Sequence, residues 1–299
     1  MSGIDRKAVA RAFGAAVDTY DAAAELQAAV RTELLNRVRE LQLEPQVVID
    51  LGAGTGAATA ALQAMFPRAL VCAVDIAPLM LQRAARRVGG FARLLPWRRG
   101  KFSCVGADAL RLPFAAGSAQ LVFSSLMLQW CEPLDLALAE IKRTLAPRGV
   151  FLFSSLGPGT LRELRSAWAR VDERPHINDF VDVHDVGAAL ARAGLVEPVL
   201  DVDRLLYRYA DVTTLLRSLQ AIGARNALKH RHRALTGKAA FATMCRAYAE
   251  LAGRAQDIPA TWEVVYGCCF GADRAPQRSA PVAAAASEIF VAVKDIRRR

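Results

Sequence analysis

The stretch from residue 47 to residue 56 limits most strongly what this chain can fold into. It reads Val-Val-Ile-Asp-Leu-Gly-Ala-Gly-Thr-Gly, an apolar run followed by three glycines spaced two residues apart. The first four residues are typical of a buried strand, and an alanine-rich helical pattern begins at Ala57. A strand, a glycine turn and a helix in this order predict an α/β sheet that binds a nucleotide-like ligand at the strand's carboxyl end.

The three glycines, Gly52, Gly54 and Gly56, do not form the dinucleotide fingerprint G-x-G-x-x-G, and no Walker lysine follows them. Glycine is required where the backbone adopts a positive φ or must approach a ligand closely. A second apolar strand ends at Asp75, 19 residues after Gly56, where a carboxylate can bind both hydroxyls of a ribose. Together these signals indicate a nucleoside site. The alternative is a glycine-rich turn of another Rossmann-like protein.

The composition is that of a folded protein. The chain has 299 residues, of which 53% are apolar, so it can bury a substantial core. No apolar run is long enough to cross a membrane, and the N-terminus lacks the apolar segment of a secretion signal. The six cysteines contain no C-x-x-C pair. We therefore predict a cytoplasmic protein with reduced cysteines and no metal site.

The net charge of +10 is concentrated in two runs. Residues 76–107 and residues 212–249 each contain seven Arg or Lys and no acid. Such runs favour an acidic partner, which could be nucleic acid, an anionic membrane or an acidic protein. A solvated basic face in an arginine-rich protein explains them equally well.

Strand-like and helix-like patterns alternate between residues 47 and 155. Strands are predicted at 47–50, 70–74, 101–105, 121–125 and 150–154. This alternation predicts a parallel, doubly wound sheet.

Residues 5–40, which precede the first strand, have a helical pattern that breaks between residues 13 and 21. We expect this segment to fold over the carboxyl ends of the strands as a lid. The alternative is a helix that only packs on the sheet.

The second half is less regular. Strands are predicted at 197–209 and 261–270, and the mostly helical stretch 212–253 between them is an insertion that we expect beside the site. A helix is also predicted from Thr160 to Val171, with Thr160 as its N-cap and Glu163 three residues later.

Several further stretches accompany the glycine turn. They are Val9–Gly14 with Tyr20 and Ala24–Gln27, Val74–Leu81, Leu128–Cys131, Gly159–Leu164, Asp172–Phe180, Leu216–Ala224 and Pro259–Tyr266. The turn with its acidic strand end resembles the nucleoside site of class I S-adenosylmethionine-dependent methyltransferases. The complete set, over most of residues 7–270, resembles one family among them, the malonyl-acyl-carrier-protein O-methyltransferases of biotin synthesis. Two positions depart from that family: Ala53 stands where Cys is frequent, and Ser125 stands where Asn is frequent.

The resemblance implies a Rossmann-like, doubly wound, seven-stranded sheet with an N-terminal helical lid and a helical insertion before the last strand. Residues 1–270 would form a single methyltransferase domain, with the lid at 5–40 and the insertion at 211–258. Residues 271–299 would be a variable tail.

The resemblance also implies S-adenosylmethionine as the methyl donor. In that pattern Asp75 binds the ribose and Asp108 accepts the exocyclic amine of the adenine. The implied cofactor residues are Asp50, Gly52, Ala53, Gly54, Gly56, Asp75, Ile76, Met80, Asp108, Ala109, Ser124 and Ser125.

The implied acceptor is the free carboxylate of a malonyl thioester. A carboxylate is ionised at neutral pH, so it needs no general base. The sequence agrees with this, because it shows no Ser-His-Asp or Cys-His constellation. Catalysis would then rest on positioning and on the exclusion of water.

Five residues are candidates for positioning the acceptor. Tyr20, Gln129 and Trp130 are expected to line its pocket, and Arg217 is expected to orient the carboxylate through a bidentate pair, with His176 as the second choice. The alternatives are a surface arginine, a structural histidine and a core tryptophan.

The acidic partner implied by the resemblance is an acyl carrier protein that bears the malonyl group. Its expected docking surface is the basic stretch from Arg217 to Arg246. We expect neither nucleic acid, for which no aromatic-interleaved motif is present, nor a membrane.

Two other functions remain open at this stage. One is methyl transfer to another small acceptor, and the other is a methyltransferase-fold assembly factor or hydroxylase for a respiratory complex. The sequence decides neither between carrier protein and coenzyme A as the bearer of the malonyl group nor the oligomeric state.

Overall fold

The computed structural model describes residues 3–94, 101–229, 237–252 and 257–272. It contains one seven-stranded sheet with the order β3-β2-β1-β4-β5-β7-β6. The strands are β1 Val47–Leu51, β2 Leu70–Asp75, β3 Lys101–Gly106, β4 Ala119–Ser125, β5 Leu145–Leu156, β6 Leu195–Tyr209 and β7 Ile258–Gly271. Strands β1 to β5 pair in parallel, and β7 runs antiparallel to both β5 and β6.

Ten α-helices surround the sheet in the described ranges. They are α1 Arg6–Ala15, α2 Tyr20–Ala23, α3 Glu25–Glu40, α4 Ala57–Met65, α5 Pro78–Leu94, α6 Leu134–Thr144, α7 Arg162–Trp168, α8 Val183–Arg192, α9 Val212–Ala221 and α10 Lys238–Ala252. A short 3₁₀ turn covers Leu128–Trp130. No described helix is both long and apolar enough to cross a bilayer.

The central strands are buried on both faces, which explains their continuous apolar runs. Successive side chains of a strand point to opposite faces, so Val48 packs in one core cluster and Ile49 in the other. Helices α3 and α4 supply the first cluster, and α6 and α8 supply the second. The predicted doubly wound sheet with an insertion before its last strand is confirmed.

The N-terminal segment divides into two parts with different roles. Helix α3 packs in the core through Val30 and Leu34, which are fully buried. Helices α1 and α2 supply side chains to the cavity at the carboxyl ends of the strands, whereas α3, also within the predicted lid of 5–40, does not. We call residues 5–23 the lid.

The lid is joined to the insertion between β6 and β7. The backbone N–H of Asp5 donates to the carbonyl of Ala227 at 2.8 Å, and the N–H of Lys229 donates to Gly3 at 2.8 Å. The hydroxyl of Thr19 donates to the carbonyl of Ala221 at 2.7 Å. Lid and insertion therefore form one continuous cover.

The capping prediction at Thr160 was wrong. Thr160 does not cap a helix, because α7 begins at Arg162 after Leu161, which has φ 52°. Thr160 instead donates to the carbonyl of Glu263 and accepts from its N–H, both at 3.1 Å, so it ties this turn to β7. The described residues of the insertion form the helices α9 and α10, in agreement with the mostly helical stretch predicted there. The predicted tail lies outside the described residues from residue 273 onward.

Candidate active site

A cavity lies at the carboxyl ends of β1 to β4, below the lid. We call it the first cavity. Eight of the twelve predicted cofactor residues line it: Gly52, Gly54, Asp75, Ile76, Met80, Asp108, Ala109 and Ser125. Tyr20 and Trp130, predicted to contact the acceptor, line it as well. The fold thus brings the glycine turn, the acidic strand end and the lid to one place.

Gly54 and Gly56 serve different purposes in the glycine turn. Gly54 has φ 52°, and a Cβ there would meet no atom within 4 Å, so the backbone faces open space beside the cavity. Gly56 has φ 79°, and a Cβ there would lie 2.7 Å from the Cβ of Ala84. The first glycine keeps the cavity open, and the second lets α4 begin close to α5.

Asp75 connects the glycine turn to the start of α5. Its carboxylate accepts the N–H of Gly54 and the N–H of Ala77, each at 2.8 Å. Burial raises the pKa of Asp75, and these backbone hydrogen bonds oppose the rise. A carboxylate has about four lone-pair sites, so acceptor capacity is left for hydroxyl groups of a ligand.

Four predicted cofactor residues do not line the cavity. Asp50 is 1% exposed and accepts the hydroxyl of Thr59, and burial raises its pKa to about 7. Ser124 donates to the carbonyl of Leu51 at 3.0 Å. Ala53 packs in a small apolar cluster, and Gly56 lies at the N-cap of α4. These residues support the cavity from below.

Aromatic side chains of the lid close the first cavity from above. The ring centroid of Phe13 lies 6.3 Å from that of Tyr20 and 5.4 Å from that of Trp130, edge to face. Burial, and next the charge of Asp75, raise the pKa of Tyr20 to about 12. Burial likewise raises the pKa of Cys131 to about 12. Both groups are therefore protonated at neutral pH.

A second cavity lies between α7, the segment 176–180 and the insertion. Its wall is mostly apolar and includes Leu156, Leu164, Trp168, Phe180, Leu216 and Trp262. His176 and Arg225 are its titratable members within the described ranges. Trp130 lines both cavities, so the two spaces meet at this side chain.

The structure separates the other predicted acceptor residues. His176 lines the second cavity, where its ring stacks on Trp168 at 3.8 Å and its Nε2 lies 2.8 Å from Asp172. Gln129 lines neither cavity; its amide donates to the carbonyl of Leu126 at 2.7 Å, and its Oε1 is buried without a partner in the described part of the chain. Arg217 is exposed on α9 and lines a shallow groove outside both cavities.

Two arginines near the cavities were missed by sequence reasoning. Arg225 lines the second cavity and the groove that contains Arg217, and it forms no ion pair with any described residue. Arg6 of the lid lines the first cavity and lies 2.6 Å from the carboxylate of Asp108. Arg225 directly follows one of the quoted stretches, which was the available signal. No signal pointed to Arg6, because the contact spans 102 residues.

Within the described ranges, no group of three or more acidic, histidine or cysteine side chains is arranged to hold a metal ion.

Known proteins resemble the chain both locally and along its length. The methyltransferase domain family matches residues 49–153. The malonyl-acyl-carrier-protein O-methyltransferase of Halorhodospira halophila is 44% identical over 298 residues, which are 99% of this chain and 97% of the relative. The enzyme of the same name from a Methylovorus species is 45% identical over 264 residues, 88% of each chain.

Among solved structures, the YcgJ protein of Bacillus subtilis superposes with a TM-score of 0.55 at 16% identity. The match covers 80% of this chain and 97% of that protein. At this identity the likeness concerns the fold.

Proposed function

The chain belongs to the malonyl-acyl-carrier-protein O-methyltransferase family, and from this premise we propose how its residues carry out the reaction. It transfers a methyl group from S-adenosylmethionine to the free carboxylate of malonyl-acyl-carrier protein, and thereby supplies the methyl ester for biotin synthesis. The observation that carries this function is the full-length identity of 44% to a relative of that name.

The first cavity fits S-adenosylmethionine. Its lining joins the glycine turn to two carboxylates at strand ends, and the space beside Gly54 is open to a ligand. Asp75 would accept the ribose hydroxyls, and Asp108 would accept the adenine amine. When bound, S-adenosylmethionine supplies a methyl group on a positively charged sulfur.

The acceptor carboxylate needs no base from the protein, because it is ionised near neutral pH. Tyr20 and Cys131, whose pKa values are raised to about 12, stay neutral beside it. An anion and a cation lose charge as they react, so a site without water favours the transition state. Phe13, Tyr20 and Trp130 are the side chains that exclude water here.

The malonyl group would enter through the second cavity, which meets the first at Trp130. We place Arg225 rather than Arg217 against the acceptor carboxylate, because Arg225 lines the second cavity and Arg217 does not. An arginine fork binds a carboxylate through two parallel hydrogen bonds. His176 remains a second polar contact, since only its Nε2 is engaged by Asp172. Gln129 would act indirectly, by holding the turn that carries Trp130.

The acyl carrier protein would dock on the basic stretch from Arg217 to Arg246, next to the mouth of the second cavity. Its described cations are Arg217, Arg225, Lys229, Lys238 and Arg246. Arg231 and Arg233 of this stretch lie outside the described residues. Arg11 of the lid and Arg225 line a further depression, separate from the groove of Arg217, and Arg11 thereby extends the basic surface.

Labelled S-adenosylmethionine and malonyl-acyl-carrier protein test the reaction directly. We expect label on the carrier, and the label should be released by ester hydrolysis. An unlabelled carrier, with the methyl donor still bound, would exclude the reaction and favour another small acceptor. The docking surface is tested by salt: added salt should lower turnover of the carrier-bound acceptor more than that of a free malonyl thioester, because exposed charges are screened. Equal sensitivity would argue against this surface.

A further inference from the structure

Asp21 of the lid makes two short bonds that the reaction itself does not require. Its Oδ1 accepts the hydroxyl of Thr55 at 2.6 Å, and its Oδ2 accepts Nη2 of Arg87 at 2.6 Å. Thr55 lies in the glycine turn between Gly54 and Gly56 and is only 2% exposed. A carboxylate of the lid thus reaches the buried part of the cofactor loop.

Arg87 closes this arrangement. Its Nη1 donates to the hydroxyl of Thr55 at 2.9 Å and to the carbonyl of Thr55 at 3.1 Å. The three side chains belong to α2, to the glycine turn and to α5. These elements frame three sides of the first cavity.

The chain neighbours of Asp21 and Thr55 connect this contact to the first cavity. The preceding residue is Tyr20, which lines the first cavity, and the residue before Thr55 is Gly54, which lines it from below. Fixing Asp21 against Thr55 therefore fixes the phenol of Tyr20 above the glycine turn. A bond to a charged partner is stronger than a neutral one, and here both carboxylate oxygens are used.

We propose that Asp21 is a positioning residue, which fastens the lid to Thr55 and Arg87 and so controls release of the nucleoside ligand from the first cavity. The inference rests on the proposed function of that cavity. In its present place the lid covers the first cavity, so release of a nucleoside from it requires Asp21 to leave both partners. The demethylated product, S-adenosylhomocysteine, then departs only after these bonds have broken.

The test compares Asp21→Ala with Asp18→Ala. Asp18 is exposed in the same segment, and its side chain has no hydrogen bond or ion pair with any described residue, so its substitution removes a like charge without the contact. Dissociation of S-adenosylhomocysteine is followed by stopped-flow measurement of the intrinsic tryptophan fluorescence, to which Trp130 of the first cavity contributes. We expect Asp21→Ala to speed dissociation about 10-fold, as the loss of about 1.4 kcal/mol implies, and Asp18→Ala to leave it unchanged. Equal rates in the two variants would overturn the proposal.

A second set of variants separates positioning from a general loss of structure. Thr55→Val removes only the hydroxyl, so it should also speed dissociation, and the double variant with Asp21→Ala should be no faster than Asp21→Ala alone. Additive effects would mean that the two residues act independently. Asp21→Asn keeps an acceptor for Thr55 and should fall between the wild type and Asp21→Ala.

The melting temperature identifies a folding defect, and we expect it to change by no more than about 3 °C in these variants. A dissociation rate that follows the loss of melting temperature across all variants would overturn the proposal. A wild-type protein that fails to bind S-adenosylhomocysteine would contradict the proposed function. A wild type that binds S-adenosylhomocysteine, with an unchanged dissociation rate in Asp21→Ala, would contradict only the positioning role of Asp21.

Discussion

The two cavities of this protein are built in different ways. The first uses backbone groups and short carboxylates from strand ends between residues 51 and 131, with the lid above them. The second uses large apolar side chains from segments between residues 130 and 262. The proposed donor site is therefore largely local in sequence below the lid, whereas the proposed acceptor site is assembled by tertiary contacts.

The bonds that hold the two cavities together differ in the same way. In the first, Asp75 binds Gly54, only 21 residues away. Around the second, Asn178 accepts the N–H of Ala227 at 3.1 Å, and Asn226 donates to the carbonyl of Pro175 at 2.7 Å, across 49 and 51 residues. If the two cavities act independently, substitutions in the first should change only the affinity for the donor, and substitutions in the second only the KM for the acceptor.

Asp75→Ala should have the largest effect. We expect affinity for S-adenosylmethionine to fall about 100-fold, because lost hydrogen bonds to a charged group cost about 1.5–3 kcal/mol. Isothermal titration calorimetry measures the affinity, and KM for the malonyl thioester at saturating donor should change little. A loss below 3-fold would mean that Asp75 organises the turn without binding the ligand.

Arg225→Ala should affect only the acceptor. We expect KM for the malonyl thioester to rise about 10- to 30-fold with donor affinity unchanged, because a bidentate pair is lost. Arg217→Ala, on the same basic surface but outside the cavity, is the matched control and should change KM less than 3-fold for a free thioester. If Arg217→Ala raised KM more than Arg225→Ala, Arg217 would be the residue that binds the acceptor carboxylate, as predicted from the sequence.

Trp130→Phe should break the separation between the cavities, because this side chain lines both. A smaller ring at the junction should raise KM for donor and for acceptor by roughly 3- to 5-fold each, since part of an aromatic contact is lost. Steady-state kinetics with each substrate varied in turn will show this. A change in one KM alone would place Trp130 in a single cavity.

The smallest effect concerns stability. Asp50 is buried below the first cavity, and its pKa is raised to about 7 from a usual value of 3.8. The folded state prefers the neutral acid, so the stability contributed by Asp50 is complete below about pH 4 and is lost as pH rises to about 7. Asp50→Asn should remove this loss, and its unfolding free energy relative to wild type should increase by about 1 kcal/mol between pH 5 and pH 6. Urea unfolding at several pH values measures it, and a constant difference would contradict the raised pKa.

Much of the fold followed from the sequence because its signals are short in range. The apolar runs at 47–50 and 70–74 are confirmed as β1 and β2, and the alternating pattern predicted the parallel sheet. The Thr160 capping prediction was wrong for the opposite reason. The hydroxyl of Thr160 could bond either to the first turn of the following helix or to a distant strand, and it bonds to the backbone of Glu263.

The predicted site residues likewise differ in whether local chain order or tertiary packing determines their position. Eight of the predicted cofactor residues line the first cavity, since a strand end and the turn after it must lie together. Arg217 and Arg225 are only eight residues apart, and their sequence context does not separate them. Arg225 follows Gly223, whose φ of 76° turns the chain after α9. Both arginines are exposed, but Arg225 lines the second cavity, whereas Arg217 lies on α9 outside it.

By itself, the sequence determined the sheet, the glycine turn and the acidic strand end, because strand alternation and glycine geometry act over a few residues. Only the tertiary structure decided how Trp130 joins the two cavities, which arginine reaches the second one, and that Asp21 binds the glycine turn. Asp21 and Thr55 are 34 positions apart, and Arg6 and Asp108, which meet at the first cavity, are 102 positions apart. No local pattern encodes such contacts, because they depend on how the helices pack on the completed sheet.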